Sequence, residues 1–294
     1  MPEAKPKTEA PKKEQKQGGG LKPDLATIGG IVAALGGILG GLVLEGGRIT
    51  DVAQITAAFI VLGGTFGAMM ISTPLGTVVR AMKRFKDVFF ERSTSAQSAV
   101  DEIIGYASQA RKGGIVSLEA EADKIKDPFL RKALNLAVDG TDLQELRKMM
   151  ELQIAIEYER TEAEAKVFEA AGGYSPTIGI IGAVLGLIQV MKHLSNIDEV
   201  GHGIAVAFVA TVYGVGVANI LLLPAASKIK ARAKRDLEMR ELVVEGVVGI
   251  VEGLNPKLIR SKLEAYTSAN VAKKPKKEKP GAPATASAAP SKAA

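Results

Sequence analysis

The sequence predicts an all-α, polytopic membrane protein with four transmembrane helices and a helical cytoplasmic block between the second and the third. Three observations predict it. Apolar runs near 25–44, 52–72, 176–194 and 203–223 each approach the ~20 residues that a helix needs to cross a hydrocarbon layer. None carries Asp, Glu, Lys or Arg in its interior, Lys192 standing at an end. The segment between the second and third runs has helical periodicity, and no alternating strand pattern of useful length appears.

Composition narrows the class further. The 294 residues include neither cysteine nor tryptophan, so disulfides and thiolate chemistry are excluded. Nearly half are hydrophobic (47%), and their clumping excludes an ordinary soluble domain. The net charge of +6 sits in the two tails and beside the apolar runs, which argues against a nucleic-acid surface of interleaved basic and aromatic residues.

In chain order, residues 1–21 read as a disordered cytoplasmic tail, because Lys, Glu, Pro and Gly dominate and no apolar signal region is present. Residues 22–72 hold transmembrane helices 1 and 2. Positive charge flanks the spans at 80-RAMKRFK-86 and 228-KIKARAKR-235, whereas the short loops at 45–51 and 192–202 carry one Arg and one Lys. Both tails and the central block are therefore expected on the cytoplasmic side.

The block, 73–175, is read as helical. Val100, Ile103, Ile104 and Ala107 form one stripe, ended by Gly113-Gly114. Leu118, Ala122 and Ile125 form another, with Ser117 as its expected N-cap. Asp139-Gly140 marks a turn, Thr141 with Gln144 fits a capping box, and a Glu-rich helix is expected to about 170. Helices 3 and 4 occupy 176–224, a cytoplasmic helical segment 225–266, and a second low-complexity tail 267–294.

Small residues recur every fourth position within the spans: Gly29, Ala33, Gly37 and Gly41; Gly63 and Gly67; Gly182 and Gly186; Ala210, Gly214 and Ala218. In lipid, helices associate through the close approach that small side chains permit. Gly182 and Gly186 are expected to receive a partner protein's helix, and Ala210 and Gly214 to pack helices as well. An intramembrane ionisable group normally marks an ion path, and these spans have none. Any titrating group must come from a partner, with hydroxyls such as Thr177 and Thr211 left as lining.

With 62-LGGTFGAMMISTP-74 in span two and 174-YSPTIGIIGAVLGL-187 opening span three, the chain resembles the flagellar stator A-subunit family, MotA and PomA, over about residues 22–266. TolQ and ExbB are more distant relatives, with three spans. The resemblance implies a homo-oligomeric ring in the bacterial inner membrane around a dimer of a single-span B-type subunit. That subunit supplies an intramembrane aspartate and a peptidoglycan-binding domain. The resemblance further implies that spans three and four line the ion path, and that the cytoplasmic block pushes on the rotor switch protein. Arg111 and Glu119 of 111-RKGGIVSLE-119 match the family's rotor-contacting pair, with Lys112, Glu121 and Lys124 as weaker contacts. Pro176 and Pro224 match the prolines that couple ion flow to torque.

The sodium-driven branch has a threonine seven residues after the span-three proline; here Ala183 stands there, which favours protons. Sodium coupling, or a TolQ-like energising subunit of another envelope complex, is the alternative. Thr211 occurs in both branches. Pro176 behind Ser175 is expected at the first position of a new helix, where its missing N–H costs nothing. His193 and His202, flanking the second outer loop, lack metal-ligand spacing. No Walker loop, dinucleotide fingerprint or nucleophile elbow is present, so an enzyme, a cofactor and a bound metal are not expected.

Overall fold

The computed structural model describes residues 21–92 and 95–272. In chain order these form strand β1 (Leu21–Pro23) and helices α1 (Leu25–Leu44), α2 (Ile49–Val52), α3 (Ile55–Ser72) and α4 (Leu75–Phe89). Strand β2 (Phe90–Arg92) follows, then α5 (Ala96–Gly113), a 3₁₀ turn (Ile115–Leu118), α6 (Glu119–Ala122) and α7 (Pro128–Val138). The rest is α8 (Leu143–Lys192), α9 (Ile197–Gly216), a π segment (Val217–Leu222), α10 (Leu223–Val251) and α11 (Pro256–Ala272). Among the described residues four helical stretches are long and apolar enough to cross a membrane. Residues 1–20 of the first tail and most of the second lie outside the described residues; Leu21, expected in the first, opens β1, and 267–272, expected in the second, continue α11.

Two compact units result, one built from residues up to 95 and 144–244, the other from 96–143 and 245 onward. In the first, α3 packs on α9 through Ala57, Val61, Val209 and Ala210. Tyr213 ties α9 to the connection between α2 and α3, its hydroxyl donating to the Val52 carbonyl at 2.5 Å and accepting from the Gln54 N–H at 3.3 Å. A second core joins α3, α4, α8 and α10 around Val78, Ala81, Phe168, Ala226 and Ile229. Outside it the spans are bare: α1 buries no residue, and Phe59, Leu62 and Phe66 of α3 are exposed. So large an apolar surface requires lipid or further protein around it.

Where the spans end, charge takes over. Asp24 caps α1 by accepting from the Thr27 N–H at 3.1 Å. It also binds Lys228 and, at 2.9 Å, Arg232, both on α10. The hydrogen bond from Lys228 holds its carboxyl well below the usual carboxylate range, at about 2, against the opposing effect of burial. The antiparallel pairing of β1 with β2, register Lys22 to Glu91, fastens the same end of α1. This short ladder is absent from the sequence expectation, since three-residue strands carry no periodicity to read. Glu164, buried inside α8, collects Arg84, Arg80 at 3.4 Å and Arg160 at 3.6 Å. Glu157 likewise meets Arg240 of α10; burial opposes its ionisation, but hydrogen bonds from Gln153 and Arg240 prevail and lower its pKa.

The second unit buries Ile103, Leu118, Leu134, Val247, Ile259 and Leu263. The expected stripes hold but for Ile104, which is half-buried: Val100, Ile103 and Ala107 are buried, as are Leu118, Ala122 and Ile125. Gly114 and Gly140 turn the chain with φ of 79° and 73°, a region in which a side chain would be strained. Ser117 corrects one expectation. It lies inside the 3₁₀ turn, where its hydroxyl donates back to the Gly114 carbonyl at 2.7 Å, so it caps nothing.

The largest correction concerns α8. The Glu-rich helix was expected to stop near 170 and a new helix to begin at Pro176, but one helix runs from Leu143 to Lys192 with Pro176 inside it. Pro224 likewise falls inside a continuous helical path, two residues beyond the π segment. An interior proline costs about 3 kcal/mol through its missing N–H and its clash with the preceding turn. Packing of the helix on both sides of the proline outweighs that penalty.

Two substitutions test this packing. A Cβ on Gly214 would stand 2.6 Å from the Ser175 carbonyl oxygen, so Gly214→Ala is expected to lower stability by about 1–3 kcal/mol, read as an earlier thermal midpoint. A Cβ on Gly37 meets nothing within 4 Å, and Gly37→Ala is expected to leave the fold of the single chain unchanged. A separate expectation concerns pH. Because the Asp24 pKa is lowered on folding from 3.8 to about 2, its contribution is complete above the unfolded value and disappears as pH falls towards the folded one. The thermal-midpoint difference between the native chain and Asp24→Asn should therefore shrink as pH is lowered through that window.

Candidate functional site: the face of the α8–α9 pair

Two antiparallel helices, α8 and α9, meet backbone to backbone. A Cβ at Gly179 would lie 2.9 Å from the Ala210 carbonyl oxygen, and one at Gly186 would lie 2.8 Å from the Gly203 carbonyl oxygen and the Ala207 nitrogen. A Cβ at Gly182 would lie 2.8 Å from the Ala210 methyl and 3.3 Å from Ile60 of α3. This corrects a second expectation: Gly182 and Gly186 serve contacts inside the chain, not a partner's helix. The spacing of small residues is the same for either use, and only the fold decides which surface faces inward. Ala210 and Gly214 pack as expected, whereas a Cβ added at Gly29, Gly37, Gly41, Gly63 or Gly67 would meet nothing within 4 Å beyond its own turn.

With the glycine seam spent on close approach, the flanks carry everything else. One flank of both helices faces α3, through Ile178 against Gly64 and through Ala210 and Val209 against Ala57 and Val61. At about 100° per residue, Ala183 and Thr211 project to the other flank, beside Pro176 and Ile180. The structure thus brings Ala183 and Thr211 to one open face. Thr177 is not with them. It lies about 120° round α8 from Ala183, exposed, with its hydroxyl donating to the Tyr174 carbonyl at 2.7 Å. The Thr211 hydroxyl is also held by its own helix, donating to Ala207 at 3.3 Å.

At one level of this pair both backbones are irregular. Pro176 offers no N–H to the carbonyl of Gly172, and Pro224 offers none to Ile220, which lies in the π segment. The π turn inserts its extra residue where an ordinary turn would lack a donor. Ser175, fully buried, donates its hydroxyl to the Gly214 carbonyl at 2.9 Å, and a Cβ on Gly214 would stand 3.2 Å from Pro176 Cα. Gly172 leaves room for Leu223, whose Cδ2 would stand 2.6 Å from an added Cβ. Ser175 was read from the sequence as an N-cap; its cross-helix bond has no signal in spacing, because the acceptor is thirty-nine residues away.

Arg111 and Glu119 belong to the second unit. Both are exposed, Arg111 in the last turn of α5 and Glu119 opening α6. The turn between them is held by the Gln109 amide, which donates to the Ser117 carbonyl at 3.0 Å. Arg111 lines a groove of about 540 Å³ with Ala107, Ile115, Gly140 and Leu254. Lys112 is exposed, and Lys124 pairs with Glu121 at 3.0 Å. In the outer loop His193 is also paired, 3.3 Å from Glu199.

Comparison with known proteins follows this geometry. Residues 28–112 match the motility protein A N-terminal family, and residues 121–242 match the MotA/TolQ/ExbB proton channel family. Motility protein A of Bacillus subtilis is 35% identical over 84% of this chain and 92% of its own length. Among solved structures, the Campylobacter jejuni MotAB structure has a TM-score of 0.79 at 33% identity, covering 83% of this chain and 95% of its own. The flagellar MotAB stator complex of Bacillus subtilis has a TM-score of 0.78 at 34% identity, covering 85% and 98%. A seam of glycines, a charge-free four-span set and this likeness along nearly the whole of each relative agree, and the chain belongs to the motility protein A branch of the MotA/TolQ/ExbB proton channel family.

Proposed function

We infer that the chain is a membrane-integral subunit of a flagellar motor stator, which with a B-type partner conducts protons and converts their flow into torque. The observation that carries this reading is the open face of the α8–α9 pair. It is charge-free, contains Ala183 and Thr211, and leaves a titrating carboxylate to be supplied by another chain. The exposed apolar surfaces of α1 and α3 fit a ring of copies in lipid, with spans three and four innermost and spans one and two outside.

In this reading the four spans are α1, α3, the apolar half of α8, and α9 with the π segment. Both termini and the second unit are in the cytoplasm, at the bacterial inner membrane, because the basic ends of α4 and α10 lie on that side. The partner's single span carries the aspartate, and its peptidoglycan-binding domain anchors the ring. Lining is assigned to Ala183 and Thr211; Thr177, turned away on α8, is the weakest of the three. Pro176 and Pro224 couple the ion step to the cytoplasmic helices, supported by their position beside the π segment and the Ser175–Gly214 bond. Arg111 and Glu119 meet the rotor switch protein from an exposed turn of the second unit.

Deletion of the gene, in a cell without a second stator set, should leave filaments assembled and motionless. Swimming speed at fixed pH should stay flat across a sodium ramp, since Ala183 offers no oxygen to replace a hydration shell; a clear rise with sodium would overturn proton coupling. Arg111→Glu and Glu119→Lys should each reduce torque in a tethered-cell assay while the stator still assembles. Speed should return when the facing charge on the rotor protein is reversed as well, and absence of any effect would remove this pair from the rotor contact.

A further inference from the structure

We propose that the recess enclosed by α1, α4 and the π segment with the start of α10 binds one anionic phospholipid, its acyl chain filling the recess and its phosphate held by Lys228 and Arg232. The recess has a volume of about 310 Å³, at the low end of the range for ligand pockets. Its chemistry is graded along α1. Gly30, Ile31, Ala34 and Ile220 line one end with Asn219, whose amide donates to the Val215 carbonyl at 2.9 Å, and Thr27 and Lys228 stand at the other end, beside the Asp24 cap.

Charge at that end favours an anion. Lys228 and Arg232 share Asp24 and Arg235 pairs with Glu91, so in these pairs three cations meet two carboxylates and one positive charge is left over. Asp24 does not exhaust the cations that bind it. Lys228 donates to Asp24 and Thr27, but an ammonium carries three donors; Arg232 donates to Asp24 and to the Phe90 carbonyl, but a guanidinium carries five. Both side chains keep part of their surface open, 26% for Lys228 and 19% for Arg232. Basic recesses between membrane helices on the cytoplasmic side suit anionic head groups. The recess exists because α1 is fastened at its end by the Asp24 pairs and the β1–β2 ladder, while small residues along its inner side leave the gap unfilled. The recess is open on one side, and the hydrocarbon at hand in a bilayer to cover its apolar lining is an acyl chain.

The site rests on the reading that α1 crosses the membrane with this end cytoplasmic. The test uses the full chain co-purified with its B-type partner, mixed with phosphatidylglycerol or phosphatidylcholine and read by native mass spectrometry. Retention of phosphatidylglycerol in preference to phosphatidylcholine is expected. A Cβ at Gly30 meets nothing within 4 Å, so Gly30→Leu fills the recess with the ionic contacts intact and should abolish the preference. Lys228→Gln should weaken it about fivefold, the loss of one cation at a lipid surface. Equal retention of the two lipids by the native complex would overturn the proposal. So would undiminished phosphatidylglycerol in Gly30→Leu, or a change in subunit number there without lipid loss, which would assign the recess to a neighbouring copy. Partner co-purification is read in the same spectra. Loss of the partner with lipid preference intact would overturn the stator reading and leave the lipid site standing.

Discussion

The first unit depends on the backbone contact between α8 and α9. Gly179, Gly186, Gly203 and Gly214 let the two helices approach until the main-chain atoms of one meet those of the other, a separation at which any side chain on the seam would collide. In lipid this contact is the main source of cohesion, because apolar surface gains nothing by leaving hydrocarbon for protein. Once the seam is closed, the remaining faces are assigned. One flank receives α3, and the opposite flank, with Ala183 and Thr211, is not covered by α3.

The same contact explains how two prolines are accommodated. Pro176 and the π segment before Pro224 lie at one level of the pair, where Ser175 bonds Gly214 and Gly172 admits Leu223. A helix interrupted alone would kink freely. Here each irregular turn is packed against the other, so the interruption is retained within a continuous helix as a locally different hydrogen-bond pattern.

Ionic groups follow the complementary rule. They are absent from the spans and dense just beyond them, where Asp24, Glu157 and Glu164 each bind cations from another turn or another helix. Glu164 is buried and the other two partly so; buried ion pairs contribute little net stability relative to an apolar core, but they penalise alignments that leave a charge unpaired. Their effect is to fix the register of α1 on α10 and of α4 on α8, and thereby the recess between α1 and the π segment.

Much of this was legible in the residues. Span lengths, absence of charge and the stripes of the second unit depend on composition and period, which are local properties, and α1 falls at its expected bounds. Ser117, Pro176 and the use of Gly182 and Gly186 were misread for one reason. A hydroxyl, a proline or a glycine has the same local signature whether it ends a helix, bends one or packs one, and the neighbour that selects among these uses is far away in sequence. Ala183 and Thr211 could be named from a motif, but not that Thr177 is turned away from them.

What the sequence determined alone is the solvent of each segment, because transfer of charged and apolar groups between water and lipid depends on residue type. What the tertiary structure decided is the partner of each face. Small residues every fourth position allow close approach on any side, and only the α8–α9 contact, made between residues distant along the chain, chose which glycines were spent inside the subunit and which surface stayed open.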